Sequence, residues 1–332
     1  RELGAAAAVI VTASHNPPEY NGYKVYADGA AQIVPPLDGE ISAAIDRVSD
    51  APLSDEGIDV VDETILERYY AEILEHRRHP SVSTDLKIVA SPLHGVAGRY
   101  LEELFALAGY SGLELVPGQS EPDGEFPTVR FPNPEEPGAL DLAIEHASRV
   151  GARLILANDP DADRLAVALP SAGGWSALTG NEIGCLLAHW LMTEGTPPAN
   201  PLLMTTIVSS RMLSRMAKKL GAHYDETLTG FKWIAHRSRQ HFEEQGRELV
   251  LGYEEALGYT VGRTVADKDG LGAALLFAEM AAVLEERGST VRAVLEDLYR
   301  EYGLHRSLQH LSLIHISEPT RQLASSRMPS YA

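Results

Sequence analysis

The chain has 332 residues, of which 44% are hydrophobic and 23% charged, with a formal net charge of −19. That balance suits a folded protein of two or more domains, and the acidic excess argues against nucleic acid as a partner while leaving room for a small anionic substrate at a local basic cluster. Cys185 is the single cysteine, so no internal disulfide can form, which fits a reducing, cytoplasmic setting; no apolar run approaches the roughly 20 residues of a membrane span.

The chain begins at Arg1 and opens almost at once on Val9-Ile10-Val11, an apolar run that reads as a buried strand. Such an opening suggests a first domain without its front. The strand delivers Thr12-Ala13-Ser14-His15-Asn16-Pro17 to its carboxyl end, where ligands bind in open α/β sheets. Asn16-Pro17-Pro18 keeps the chain out of an immediate helix. Ser14 is then a hydroxyl on a stiff turn, with His15 beside it and Lys24 ten residues on. A serine nucleophile needs such a base or cation. Helical spacing covers Asp38 to Val48, Ala51 to Gly57 reads as a polar linker, and Asp62 to His79 as an amphipathic helix with Ile65, Tyr69, Ile73 and Leu74 on one stripe.

A second unit starts near Leu86. Strands are expected at 86–90, 113–116 and 153–157, helices at 100–108 and 140–150, with a Pro-, Gly- and acid-rich loop over 117–137. This β-α-β alternation implies a largely parallel sheet with right-handed crossovers. A third unit starts near Leu178, with helices at 182–193, 210–220, 231–245, 271–287 and 290–302 and strands at 202–208 and 248–252. Residues 311–332 continue no pattern before them and resemble translated adapter sequence, with a genuine tail as the alternative.

The strand at 153–157 leads into Asp159-Pro160-Asp161-Ala162-Asp163-Arg164. Carboxylates at alternate positions of a tight loop can converge on one hard divalent cation such as Mg²⁺. An EF-hand would need Gly at the sixth position and Glu at the twelfth, where Arg164 and Pro170 stand. A solvated acidic turn stays open, as does a similarity to haloacid-dehalogenase phosphatases, whose first Asp is the nucleophile.

Taken together, the Ser14 motif followed by Asn21-Gly22-Tyr23-Lys24 closely resembles the active-site loop of the α-D-phosphohexomutases, the phosphoglucomutase and phosphomannomutase superfamily, and Asp-Pro-Asp-x-Asp-Arg matches that family's metal loop residue for residue. The resemblance implies a fold of class α/β, with consecutive three-layer α/β/α domains and mixed, largely parallel sheets, divided as 1–60, 61–177 and 178–310. It implies that Ser14 carries a phosphoryl group, that Lys24 is an acid/base candidate with His15 nearby, and that Asp159, Asp161, Asp163 and the Ser14 phosphate hold Mg²⁺. Arg164 would contact phosphate, which suits a guanidinium fork.

Thr229-Gly230-Phe231-Lys232-Trp233 opens a helix, whose N-terminus favours anions. In Gly252-Tyr253-Glu254-Glu255-Ala256-Leu257-Gly258, Glu254 falls on the family's sugar-reading glutamate and Ala256 where many members carry serine. Lys268-Asp269-Gly270 resembles a signature whose lysine faces substrate phosphate. The wording is most similar to the phosphoglucomutase-2-like branch, covers residues 7–303, and implies that a small final phosphate-binding domain is also missing. The implied activity interconverts sugar 1-phosphate and 6-phosphate, glucose first, with glucose 1,6-bisphosphate as intermediate and activator. The rivals are a metal-dependent phosphatase using Asp159 and a non-catalytic sugar-phosphate-binding protein.

Overall fold

The computed structural model describes residues 2–51, 54, 57–82 and 85–306. The expected linker at 51–57 therefore lies partly outside the described residues, and the segment 311–332 wholly so.

Strand β1 (Ala8–Val11) pairs antiparallel with β2 (Tyr23–Tyr26), Ala8 opposite Tyr26 and Val11 opposite Tyr23. The expectation of a buried first strand is corrected here: Val9, Ile10 and Val11 are all exposed, Val11 by 72%. The reason is geometric. β1 and β2 form a two-stranded ribbon, and among the described residues no further strand extends it. Thr12 N donates to Gly22 O at 3.0 Å, closing the base of the loop that carries Ser14. Helix α1 (Leu37–Ile45) buries no side chain, whereas α2 (Thr64–Glu75) buries Tyr70 and Ile73. Both helices stop short of the expected ends at Val48 and His79.

The second unit runs β3 (Ile88–Ser91), α3 (Ala97–Leu107), β4 (Leu113–Leu115), α4 (Asp141–Val150), β5 (Leu154–Ala157), β6 (Ala166–Ser171) and β7 (Gly174–Ala177), with strand order β4-β3-β5-β6-β7. The strands at its heart are continuous apolar runs, as burial on both faces demands. Helix α4 ends at Gly151 in the left-handed conformation (φ 69°), where a side chain would be strained. The β6–β7 hairpin was not expected, because Pro170 and Gly173-Gly174 break its apolar pattern.

The third unit runs α5 (Gly180–Thr193), β8 (Pro201–Thr206), α6 (Met212–Leu220), β9 (His223–Thr227), α7 (Phe231–Gln245), β10 (Glu248–Glu254), β11 (Gly258–Val261), α8 (Gly270–Glu286) and α9 (Val291–Tyr302), with strand order β11-β10-β8-β9. Thr179 and Glu182 make a reciprocal capping box at the start of α5. The strand expected over 202–208 ends at Thr206, leaving Ile207 and Val208 exposed. In the two larger sheets, four of the described strand pairings are parallel and three antiparallel.

Helix α8 is buried on nearly every side and packs against β11, β5 and α3. An all-round apolar helix of this kind is a core element. It joins the two larger sheets into one continuous hydrophobic core, with a smaller cluster of Leu202, Met204, Phe231, Ile234 and Leu249 beneath α7. Among the described residues no helix is long and apolar enough to cross a membrane.

Candidate active site

The segment leaving β1 turns sharply at Ser14, whose φ is 53°. A non-glycine residue there costs about 1–3 kcal/mol unless its surroundings hold it. They do: Ser14 N donates to Thr12 Oγ1 at 2.8 Å, and both Asn16 N and Asn16 Nδ2 donate to Ala13 O, at 3.1 and 2.9 Å. The turn aims Ser14 Oγ across 145 residues of sequence at the loop after β5, 3.0 Å from Asp159 Oδ2 and 3.1 Å from Asp161 Oδ1. His15 Nδ1 lies 3.2 Å from the same hydroxyl.

The loop after β5 folds round Asp159, whose Oδ1 accepts from Arg164 N at 3.0 Å while its backbone O accepts from Ala162 N at 2.9 Å. Oxygens of Asp159, Asp161 and Asp163 lie within 4.8 Å of one another. Lys24 Nζ bridges Asp161 (2.9 Å) and Asp163 (2.6 Å), and Lys268 Nζ reaches Asp163 at 3.2 Å. Thr12 Oγ1 donates to Asp161 Oδ2 at 3.2 Å. Arg164 is held only loosely, 3.7 Å from Asp159 and 3.9 Å from Glu135.

The electrostatics follow from crowding. Burial, then Asp163 and Asp161, hold the Asp159 carboxyl well above the usual range. Burial also raises Asp161, but Lys24, the hydrogen bond with Asp159 and Lys268 together outweigh it and leave that carboxyl below the usual range. Lys24 is raised despite burial because two carboxylates face it. Burial, Arg164 and Lys268 push His15 down to about 4, so its imidazole is neutral near pH 7. The donor set fits a hard divalent cation: three carboxylates converge, and Asp163 Oδ1 is buried with no hydrogen-bond partner. Asp159 makes a poor nucleophile, since it is wholly buried and both its oxygens are engaged.

Neighbouring elements fix this loop. A Cβ on Gly95 would collide with Pro160, and Val96 N donates to Pro160 O at 2.9 Å. Gly270 N donates to Ala162 O at 3.1 Å, and a Cβ on Gly270 would collide with Arg164 O. Asp269 caps α8 through Leu271 N and Gly272 N, while Tyr69 OH donates to it at 2.7 Å. Lys268-Asp269-Gly270 is therefore more than a turn: its three residues contact Asp163, cap the helix and support the loop.

The β10–β11 turn meets the same loop edge-on. Leu165 N donates to Leu257 O at 3.0 Å, and Arg164 pairs with Gly258 in an antiparallel bridge. Glu254, at the end of β10, is buried and accepts from Gly230 N at 2.7 Å, with its carboxyl raised by burial. Its neighbour Glu255 is anchored by Thr206 Oγ1 (3.2 Å) and Ser209 Oγ (3.0 Å). Ala256 sits in the turn and offers only a methyl group.

The structure thus brings Ser14, His15, Lys24, Asp159, Asp161, Asp163, Arg164 and Lys268 into one cluster, with Glu254 and Gly230 joined beside it. Thr229 is exposed and Lys232 Nζ lies 5.5 Å from the Trp233 ring; among the described residues neither bonds to the cluster. Thr12 and Glu135 escaped the sequence reading. A hydroxyl two residues before Ser14 was a usable signal for Thr12; Glu135 gave none, because its link to Arg164 exists only in the fold.

Fold and site together define an α/β architecture in which a serine hydroxyl is set against a loop of three converging carboxylates. The chain matches the models for Phosphoglucomutase/phosphomannomutase, alpha/beta/alpha domain I over residues 1–52, domain II over 67–173 and domain III over 179–302. It belongs to the phosphoglucomutase/phosphomannomutase family. A Haemophilus influenzae protein named "Probable phosphomannomutase" is 43% identical, the match covering 91% of this chain and 62% of the relative. A human protein named phosphopentomutase is 38% identical over 97% of this chain and 56% of its own length. A solved Burkholderia thailandensis structure described as a phosphoglucomutase/phosphomannomutase family protein superposes with a TM-score of 0.68 at 25% identity, covering 88% of this chain and 58% of that one. The chain spans a little over half the length of the curated relatives it matches.

Proposed function

We propose that the whole protein is a phosphohexomutase that interconverts a sugar 1-phosphate and its 6-phosphate, glucose first, with Ser14 as phosphoryl carrier. The observation that carries this reading is the placement of Ser14 Oγ within 3.1 Å of Asp159 and Asp161 oxygens at the end of β5. A free serine needs no such company. Asp159, Asp161 and Asp163 stand against Lys24, Arg164 and Lys268, so the formal charges balance. A phosphoryl group on Ser14 adds about −1.5 to −2, and one divalent cation restores the balance. Mg²⁺ bound by the three aspartates would neutralise charge on the transferring phosphoryl group.

The remaining roles belong to side chains. His15 lies beside the hydroxyl and Lys24 shares Asp161 with it; neutral His15 suits proton transfer, and Lys24 suits charge stabilisation. Arg164 and Lys268 would face substrate phosphate, Glu254 the sugar hydroxyls, and the Thr229–Lys232 helix start the second phosphate. Glucose 1,6-bisphosphate would prime Ser14 and form again when phosphoserine donates to substrate. The division into 1–60, 61–177 and 178–310 is part of the same proposal, supported by one sheet in each span. A pentose phosphate is the second reading, favoured by Ala256, which withdraws a hydroxyl from the sugar loop, and by the human relative's name.

Incubation with glucose 1,6-bisphosphate and Mg²⁺, followed by peptide mass spectrometry, should place one phosphate on Ser14. Phosphate on Asp159 instead would transfer the assignment to a phosphatase. Coupled assays of the complete protein with glucose, mannose and ribose 1-phosphates rank the substrates.

A further inference from the structure

Between β3 and α3 the chain passes through two consecutive non-glycine residues in the left-handed region, Leu93 at φ 47° and His94 at φ 60°. Such conformations persist only where the surroundings over-determine them, and they concentrate at functional sites. Here the surroundings are a run of polar side chains. Ser91 and Gln119 are wholly buried and His94 nearly so. Ser91 Oγ accepts from Leu93 N at 3.1 Å and donates to Gln119 Oε1 at 2.7 Å. Gln119 Nε2 donates to Thr128 Oγ1 at 2.9 Å, and Thr128 Oγ1 lies 2.7 Å from His94 Nε2. His94 N donates back to Gln119 O at 3.0 Å, closing the circuit, and Asp123 N donates to His94 O at 2.9 Å.

The next two residues are the floor of the aspartate loop. Gly95 packs so closely under Pro160 that no side chain fits, and Val96 N holds Pro160 O at 2.9 Å. Pro160 stands between Asp159 and Asp161. The strained turn therefore sets the height and tilt of the residue that joins the first two carboxylates.

We propose that Ser91, Gln119, Thr128 and His94 form a positioning network that fixes the geometry of the Asp159–Asp163 loop. They touch neither substrate nor cation; they act through Gly95 and Val96. This also gives the acid-rich 117–137 loop a task, since it supplies Gln119 and Thr128. The proposal rests on reading the aspartate loop as a divalent-cation site. Groups that orient ligands in this indirect way typically alter metal affinity about 10–100-fold when removed.

The test uses the whole 332-residue chain and two readouts. Ser91→Ala removes the acceptor of Leu93 N and strands Gln119 Oε1 in a site that water cannot reach. In metal-free protein, amide hydrogen exchange across 161–165 should quicken about tenfold while β5 amides keep their rates. By calorimetry with Mg²⁺ alone, Kd should rise about tenfold. Thr128→Ser, which keeps the hydroxyl, should leave both readouts as in the wild type. Leu104→Ala, a core truncation on α3, should lower Tm without selective exchange in the loop. Ser91→Ala with wild-type exchange and wild-type Kd overturns the network while leaving the cation site standing. Acceleration shared equally by Ser91→Ala and Leu104→Ala overturns it too. If the wild type binds no Mg²⁺, the cation reading fails, and the exchange readout still decides whether the network sets the loop.

Discussion

Arg77 Nε donates to Glu279 Oε1 at 3.1 Å across 202 residues of chain, and both side chains are shielded from solvent. The same carboxylate accepts from Arg78 N at 2.8 Å and His79 N at 3.0 Å. One acid on α8 thus ties down the segment that follows α2. Removing one partner of such a buried pair costs about 3–5 kcal/mol, since the other is left uncompensated. Glu279→Ala should therefore lower urea-unfolding stability by about that amount. A loss below about 1 kcal/mol would mean that water replaces the carboxylate.

Asp161 touches Ser14, Thr12 and Lys24 at once. Asp161→Asn should weaken Mg²⁺ binding at least about tenfold with little change in circular dichroism. In the wild type, Mg²⁺ at a hundred times Kd should add about 2.7 kcal/mol of stability, seen as a rise in Tm. The variant should show little of that rise at the same concentration. Equal rises in both proteins would remove the loop from the cation assignment.

Gly270 lies against Arg164 O, with Ala162 O and Asn158 Nδ2 each 2.6 Å from where a Cβ would stand. Those are backbone and buried atoms that cannot step aside. Gly270→Ala should cost about 1–3 kcal/mol through overpacking and should also raise the Kd for Mg²⁺, because the displaced atoms belong to the aspartate loop. A stable variant with normal affinity would show that α8 does not brace the loop.

Glu194 accepts from Arg287 Nη1 and Nη2 at 2.7 and 3.0 Å and pairs with His79 Nε2 at 2.7 Å. Hydrogen bonds from Arg287, with His79 adding to them, bring its carboxyl down to about 2 against the opposing effect of burial. Its folded pKa lies below its unfolded value, so the stability it adds is full above about pH 4.5 and is lost as pH falls toward 2. Thermal melting from pH 6 to 2 should decline more steeply in the wild type than in Glu194→Gln. Parallel curves would show that solvent screens the cluster.

Much of the fold could be read from apolar runs. Leu154–Ala157 and Leu202–Thr206 are strands buried at every position, so their composition alone marks them. The largely buried strands Ala166–Ser171 and Gly258–Val261 escaped all the same, being short and flanked by charged or glycine-rich turns, and so did strands whose partners supply the reason to be strands. Tyr23–Tyr26 and His223–Thr227 are half polar and pair at the edge of a sheet, where pattern is weak. The site divides the same way. Asp159, Asp161 and Asp163 announce themselves by alternate spacing. The buried Val9–Val11 expected from composition proved exposed, because burial depends on what covers a strand and not on the strand. Glu135, Tyr69 and the Ser91–His94 network act across dozens to hundreds of residues, a distance that no local spacing encodes.

Helix α8 packs at once against β5, α3 and β11. Its buried side chains belong to the one hydrophobic core that spans both sheets, so neither sheet can lose its order without exposing part of that core. The aspartate loop and the β10–β11 turn consequently share one cooperative unit, whatever the sequence distance between them. A scanning calorimeter should record a single endotherm for the two sheets together, with matching calorimetric and van't Hoff enthalpies. The β1–β2 ribbon, which has little apolar cover, should release first, so that the Ser14 turn is the most labile part of the site.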